Sequence, residues 1–361
     1  MTAPLAPVAP VVPLAQRTLS AFFAIIGNTM VVFLTRRILL GAFTIFVISL
    51  ISFLIIQLPP GDFVDDYVLT LLGEQGLGTE LGRSLEADLR VEFGLDRPMY
   101  MQYLKWLGKV VQGDFGFSLE FQKPVWDVVS SRLLNTVILA VAAIIFTWTL
   151  ALPIGIWSAV RHNSPEDYTI TFIGFLGLAI PDFLLALGLM WMGFFFLGLN
   201  VGGLFSREFV EASWSVARAW DMLKHLWIPA LVLGTAGTAT LVRYMRNNLL
   251  DELSKPYVVT ARAKGLSEWR LVLKYPVRVA LNPLISTVGY ILPLQISGSI
   301  IVSVVLGLPT VGPLLLRALL SEDLFMAATI IMLLGAITVI GTLISDILLG
   351  LLDPRIRVES T

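Results

Sequence analysis

The amino-acid sequence predicts an all-α membrane protein with six transmembrane helices. Three observations carry that prediction. The 361 residues are 56% hydrophobic and only 14% charged, with a mean hydropathy of +0.82, whereas a typical soluble chain is about 25% charged. Six apolar runs approach or exceed the ~20 residues a helix needs to cross a bilayer. The short loops placed inside, apart from 161–167, are net basic and the largest outside loop is acidic, as the excess of Lys and Arg in short cytoplasmic loops requires.

The elements follow in order. Pro4, Pro7, Pro10 and Pro13 recur every third residue, the period of an extended polyproline II helix without internal hydrogen bonds. This start lacks a basic cluster before its first apolar run and a clear cleavage site, so it does not read as a secretory signal. The apolar run 19–34 is short for a span. Only Thr35, Arg36 and Arg37 separate it from the next run, too little for a reversal, so an interfacial helix on the cytoplasmic face is expected. Residues 1–36 are thus read as a cytoplasmic extension, a mobile tail plus that helix, and 37–361 as the transmembrane domain. Its spans fall at about 38–58, 133–160, 168–199, 226–250, 283–305 and 324–352. Pro59-Pro60-Gly61 stops the first. The run 279–316 carries no charge for 38 residues and would reach ~57 Å as one helix, against a hydrocarbon core of about 30 Å. It must break at "LGLPTVGPLLL" (306–316), giving a turn and a short helix at the membrane face.

Placing Arg36 and Arg37 inside puts segment 59–132 outside, with 12 acidic and 7 basic residues, and segment 251–278 inside, with six basic and three acidic. Arg355 and Arg357 then lie inside, so both termini are cytoplasmic. Segment 59–132 is too long for a plain connection. Met99, Tyr103, Leu107 and Val110 have helical apolar spacing, so a small helical outer lobe is expected there.

One inside loop stands out: "VVTARAKGLSEWRLVLKYPVR" (258–278), with Lys255 just ahead. Pro256 suits a first helical position. Lys264 followed by Gly265 reads as a helix C-terminus. Ser267 can cap a second helix, with Glu268 in its first turn. In that second helix Trp269, Val272, Leu273 and Pro276 share one face and Arg270, Lys274 and Arg278 the other. By pattern alone the segment is either a basic stripe on anionic headgroups, at ~1 kcal/mol per charge, or a rigid corner that transmits force to a cytoplasmic partner.

The segment resembles the cytoplasmic "EAA" loop of ABC-importer permeases, in the "TARAKGLSE" version of the dipeptide/oligopeptide/nickel transport family, first-permease type. "TRRILL" (35–40), "LPPGD" (58–62), "FGLDRPMYMQYLKWL" (93–107), "GDFGFSL" (113–119), "SRLLNTVILA" (131–140), "LGLPTVGPLL" (306–315) and "LLDPRIR" (351–357) resemble that family in the same order. The resemblance implies a type I ABC importer fold and a permease subunit without catalytic chemistry of its own. It would form a pathway for peptides, nickel or, in some branches, oligosaccharides. Implied partners are a second homologous permease, two ATP-binding subunits that hold ATP and Mg, and a periplasmic or lipid-anchored solute-binding protein, all at a bacterial or archaeal cytoplasmic membrane. The resemblance assigns the ATPase contact to Thr260, Ala261, Arg262, Ala263, Lys264, Gly265, Leu266, Ser267, Glu268, Trp269 and Arg270. It assigns an outer gate to Ser303, Leu308, Pro309 and Gly312. Ser303 stands where the family usually has an acid, and Pro309-Thr310 where it usually has Pro-Gly.

Asp182, inside the third span, is a candidate pathway residue, since an intramembrane acid is by default functional; the resemblance, which often has Pro-x-Phe where Pro181-Asp182-Phe183 stands, instead implies a structural kink facing protein. Arg243 and Arg246 read as snorkelling anchors, or as contacts to the 251–278 loop or a partner ATPase; Trp191, Phe194, Phe195 and Phe196 read as a lipid- or partner-facing aromatic belt, with a sugar platform as the alternative. Gly174, Gly177, Gly188, Gly234 and Gly237 read as sites of close helix packing. There is no cysteine, and the two histidines, His162 and His225, lie far apart, so no metal site is expected. No GxxxxGK[ST] occurs, so no nucleotide is expected on this chain. The net charge of −1 gives no sign of a nucleic-acid partner, and none is expected. An ion-coupled secondary transporter is the alternative; it calls for paired intramembrane charges and inverted repeats, and one deep acid and no repeat are found.

Overall fold

The computed structural model describes residues 14–57, 64, 68, 71–73, 79–93, 97–118, 120–198, 202–210, 212–321 and 323–352. The proline-period tail 1–13, the 58–62 turn and the basic 353–361 tail lie outside them. Helix α1 runs Leu14–Gln57 without a break. The sequence assigns 19–34 to a separate interfacial helix; the structure instead carries one helix through Thr35-Arg36-Arg37. None of those residues breaks a helix, and arginine is a good helix former. Two helices, α2 (Glu80–Phe93) and α3 (Met99–Val111), follow in the segment after α1, then a hairpin of β1 (Phe117–Ser118) and β2 (Lys123–Pro124). Tyr103 fastens α3 to α1: its hydroxyl lies 2.8 Å from Ser49 Oγ and its ring meets Phe53 edge-on.

Helix α4 (Val125–Val160) and helix α7 (Val216–Leu253) both start well before their expected spans. Between them the expected third span is two helices, α5 (Pro165–Ala179) and α6 (Asp182–Leu197), bent by 100°. Pro181 lacks an N–H and disfavours helical backbone at the residue before it; Ile180 is accordingly extended, at φ −86° and ψ 120°. Three short helices follow, α8 (Pro256–Ala263), α9 (Glu268–Lys274) and α10 (Pro276–Ala280). The long apolar run then divides into α11 (Asn282–Val305), a turn, and α12 (Val311–Leu320). Helix α13 (Leu324–Leu352) completes the described chain. Among the described residues four helical stretches, Val31–Ile55, Val125–Val160, Val216–Leu253 and Leu324–Ile347, are long and apolar enough to cross a membrane; the bent α5–α6 pair makes a fifth.

Helices α4 and α7 pack along much of their length. Glycine sits at two of their close approaches. A Cβ on Gly155 would stand 2.8 Å from Met245 Cβ, and one on Gly234 would stand 2.6 Å from Phe146 Cδ1. Gly188, by contrast, faces open space. Helix α13 packs on α1 and α11. Buried acids tie both ends. At the hairpin end Asp323 accepts from Ser118 Oγ at 2.5 Å and from the Glu120 and Met326 N–H groups. At the opposite end Arg37 pairs with Asp346 at 3.0 Å. There too, Asp167 accepts from the Ser158 hydroxyl, from Asn163 N–H at 3.0 Å and, twice at 2.7 Å, from Arg246. Arg246 is therefore not a snorkelling anchor: it is the bidentate partner of an acid whose side chain is 2% exposed.

Breaking such a pair leaves a charge without its partner and costs ~3 kcal/mol. Asp167→Ala and Arg246→Ala are each expected to lower the thermal unfolding midpoint of the purified protein by several degrees. The double variant should lose less than the sum of the two; full additivity would mean that the pair is not coupled.

Candidate functional site

The segment after α7 is built by local rules. Lys255 is extended and Pro256 opens α8. The helix ends at Lys264-Gly265, where Gly265 takes φ +78°, a left-handed conformation that glycine adopts without a Cβ clash. Ser267 occupies the position before α9, but its side chain makes no capping bond. Tyr275 breaks the helix and Pro276 starts α10.

Tertiary packing then decides which faces are offered. Val258, Ala261, Leu271, Val272 and Val277 are buried in one cluster with Ala151 and Ala159 of α4 and with Met245 and Leu249 of α7. The apolar stripe expected on α9 is thus turned: Leu271 and Val272 face inward, while Trp269 and Leu273 are 48% and 52% exposed. A helix of two turns is oriented by what it docks against, more than by its own pattern. Trp269 stacks on Trp157 of α4, ring centroids 5.9 Å apart.

Of the residues assigned to a partner contact, Thr260, Arg262, Ala263, Lys264, Gly265, Ser267, Glu268, Trp269 and Arg270 are exposed. Leu266 is half-buried, and Ala261 faces the chain's own core. Arg262 closes the corner between α8 and α9. Its Nη2 and Nε donate to the two oxygens of Glu268 at 2.5 and 3.1 Å. The hydrogen bond from Arg262 holds the Glu268 carboxyl below the usual carboxylate range. At the root of the segment, Tyr257 donates to Glu252 at 2.6 Å; burial and this bond push its phenol up to about 12. The surface left outward is a fixed corner carrying Arg262, Lys264, Arg270 and an exposed indole.

The second group lies at the hairpin end. Ser303 is fully buried and its carbonyl accepts from Leu308 N–H at 2.8 Å. Leu308 is 2% exposed, in a cluster with Leu139, Leu226 and Val302. Pro309 O accepts from Asn135 Nδ2 at 2.9 Å, and Val311 N–H donates to Thr136 Oγ1 at 3.0 Å. A Cβ on Gly312 would stand 2.9 Å from Ile300 Cα. Sequence reasoning assigned no role to Asn135 and Thr136. They lie about 175 positions from the loop they clamp, and only the fold brings them to it. Asp182, the third group, opens α6 and lines a cavity of about 280 Å³ between α4, α6, α7 and α11. Helix α7 passes all three places. Among the described residues no group of three or more His, Asp or Glu could hold a metal ion.

Comparison with known proteins matches this architecture. Residues 151–358 match the family described as "Binding-protein-dependent transport system inner membrane component", and residues 30–140 match its N-terminal counterpart. The chain is 37% identical to the oligopeptide transport system permease protein AppB of Bacillus subtilis (strain 168), over 91% of this chain and 100% of that one. It is 30% identical to the dipeptide transport system permease protein DppB of Escherichia coli (strain K12), over 91% and 99%. Identity is also 30% with the glutathione transport system permease protein GsiC of Escherichia coli O1:K1 / APEC, over 91% and 99%. A solved chain from inward-facing conformations of the MetNI methionine ABC transporter shares the fold, with a TM-score of 0.51 at 15% identity, covering 63% of this chain and 96% of that one. The chain belongs to the family of binding-protein-dependent transport system inner membrane components and is a permease subunit of an ABC importer.

Proposed function

We propose that this subunit forms part of a pathway for peptides or related small solutes, and that a separate ATPase subunit drives it through the 251–278 segment. The observation that carries the reading is the fixed corner at Arg262 and Glu268, rooted by Leu271, Val272 and Val277 in the same cluster as α4 and α7. A force on that corner reaches both central helices without passing through a flexible joint. The names of the relatives, oligopeptide, dipeptide and glutathione systems, support a peptide-like solute. ATP and Mg belong to two partner subunits, a second permease completes the pathway, and a solute-binding protein delivers cargo to the α2–α3 lobe. Ligand and ATP each favour one of two arrangements of the helices. The turn at Ser303, Leu308, Pro309 and Gly312, clamped by Asn135 and Thr136, serves as the outer gate.

The topology we propose has six spans in a cytoplasmic membrane. Helix α11, of 24 residues, reaches ~36 Å and supplies the sixth. Both termini and the 251–278 segment face the cytoplasm. The chain has no cysteine, so single cysteines report sidedness directly. Lys264→Cys should react with an impermeant maleimide only in inside-out vesicles, and Met99→Cys only in right-side-out vesicles; the reverse pattern would invert the topology.

Coupling is tested by co-purification from cells expressing the whole transporter. Gly265→Asp adds a negative side chain and left-handed strain to the corner and is expected to lose the ATPase subunits while the chain stays in the membrane. Leu271→Ala should cost ~2–4 kcal/mol at a fully buried site. It is expected to keep the ATPase subunits yet transport less solute per ATP hydrolysed. Full retention of the ATPase by Gly265→Asp would remove the corner from the contact.

A further inference from the structure

The cavity under the α5–α6 bend has a one-sided chemistry. Besides Asp182, its polar lining includes Thr147, Thr240, Thr287, Gln295 and Tyr244. Each threonine hydroxyl donates its hydrogen to a backbone carbonyl: Thr147 to Gly234 at 3.3 Å, Thr240 to Ala236 at 3.0 Å and Thr287 to Leu284 at 2.6 Å. Gln295 donates Nε2 to Leu233 O at 3.0 Å. What these four side chains have left is mainly oxygen lone pairs. Asp182 adds the one carboxylate, and among the described residues no cation pairs with it. Most of the wall is apolar, from Leu233, Ala236, Gly237, Leu241 and Ile291; its polar part, oxygen acceptors with one negative charge and one phenol ring, selects a cation that carries hydrogen-bond donors on an apolar body. It disfavours a carboxylate or a phosphate. A lone carboxylate among neutral oxygens also falls short of the two or more acids that divalent-ion sites usually recruit. At about 280 Å³ the space lies at the lower edge of the range for organic ligands, larger than a bare ion requires.

We propose that this cavity is a binding subsite for an ammonium group of the transported solute, with Asp182 as its counter-charge and Thr240, Thr287 and Gln295 as neutral acceptors. This rests on the reading of the chain as a peptide-type permease. It adds that the permease itself, and not the delivering protein alone, distinguishes an amine terminus from a blocked one.

The test uses the whole transporter in nanodiscs with its solute-binding protein and ATP. Thr240→Cys places a thiol in the cavity of a chain that has no other cysteine. Its modification by a cationic methanethiosulfonate (MTSEA) and an anionic one (MTSES) is followed on this subunit, each rate referred to a free thiol. The cationic reagent is expected to be favoured roughly tenfold, and Asp182→Asn in the same background should abolish that preference. Trialanine should slow MTSEA modification, and N-acetyl-trialanine should not. Thr287→Cys repeats the measurement from another helix should Thr240→Cys fail to assemble. A charge preference unchanged by Asp182→Asn, equal slowing by both peptides, or slowing by neither would overturn the assignment. Binding-protein-stimulated ATP hydrolysis is measured alongside. If it persists while the charge preference is absent, the subsite is wrong and the peptide-transport reading stands; if it is absent from the unmodified complex, the peptide-transport reading itself fails.

Discussion

The close approach of α4 and α7 is the constraint on which the other features depend. Met245 and the Val242 carbonyl fill the space a side chain at 155 would need, and Phe146 fills the space at 234. With the two helices packed this closely at both levels, α7 can present Leu226 and Ile228 to the hairpin-end core, Thr240 and Tyr244 to the cavity, and Met245 and Leu249 to the short helices. In a membrane, helices associate by packing and hydrogen bonds because lipid is as apolar as leucine. Small residues at the crossings are therefore what gives this pair its strength, and a larger residue at either would separate surfaces that three different places share.

Around that pair, polar residues lock the ends, and the middle holds the polar groups of the Asp182 cavity. Asp323 at one end, and Asp167 and Asp346 at the other, each join segments distant in sequence. The hydrogen bonds from Asn135 to Pro309 and from Val311 to Thr136 do the same for the turn after α11. Asp323, Asp167 and the 309–311 turn lie at helix starts or a turn, where backbone groups lack intrahelical partners and would otherwise need solvent; Arg37 and Asp346 instead join the interiors of α1 and α13. Asp182 is the exception. It sits at a helix start but faces a cavity, and no cation of the described chain offsets it.

Much of this was legible in the sequence wherever the cause is local. Pro256, Gly265 and Pro276 mark the helix bounds of the 255–280 segment because φ restrictions act within one or two residues. The excessive length of the 279–316 run, with Gly307 and Pro309 inside it, required a break near 306. Long-range partners left no such trace. Arg246 looks like any basic residue near a helix end, and its acid stands 79 positions away. The inward turn of Leu271 and Val272 depends on α4 and α7 supplying the surface beneath them. The 100° bend at Ile180-Pro181 exceeds what proline alone imposes on a helix. The continuity of α1 runs against the shortness of the apolar run 19–34, but Thr35, Arg36 and Arg37, which join that run to the next, carry no signal to stop a helix.

The α5–α6 bend also bears on where water can stand. A helix start leaves its first N–H groups, and a helix end its last carbonyls, without intrahelical partners. Pro181 O accepts from the Leu184 and Leu185 N–H groups, and Leu176 O accepts from Ile180 N–H, so part of each set is satisfied locally. The remainder cannot face hydrocarbon, where an unpaired peptide group costs several kcal/mol. The elbow therefore divides the perimeter of the bundle into a dry arc that lipid can coat and a hydrated or protein-covered arc that contains the bend, and the mouth of the Asp182 cavity belongs to the second.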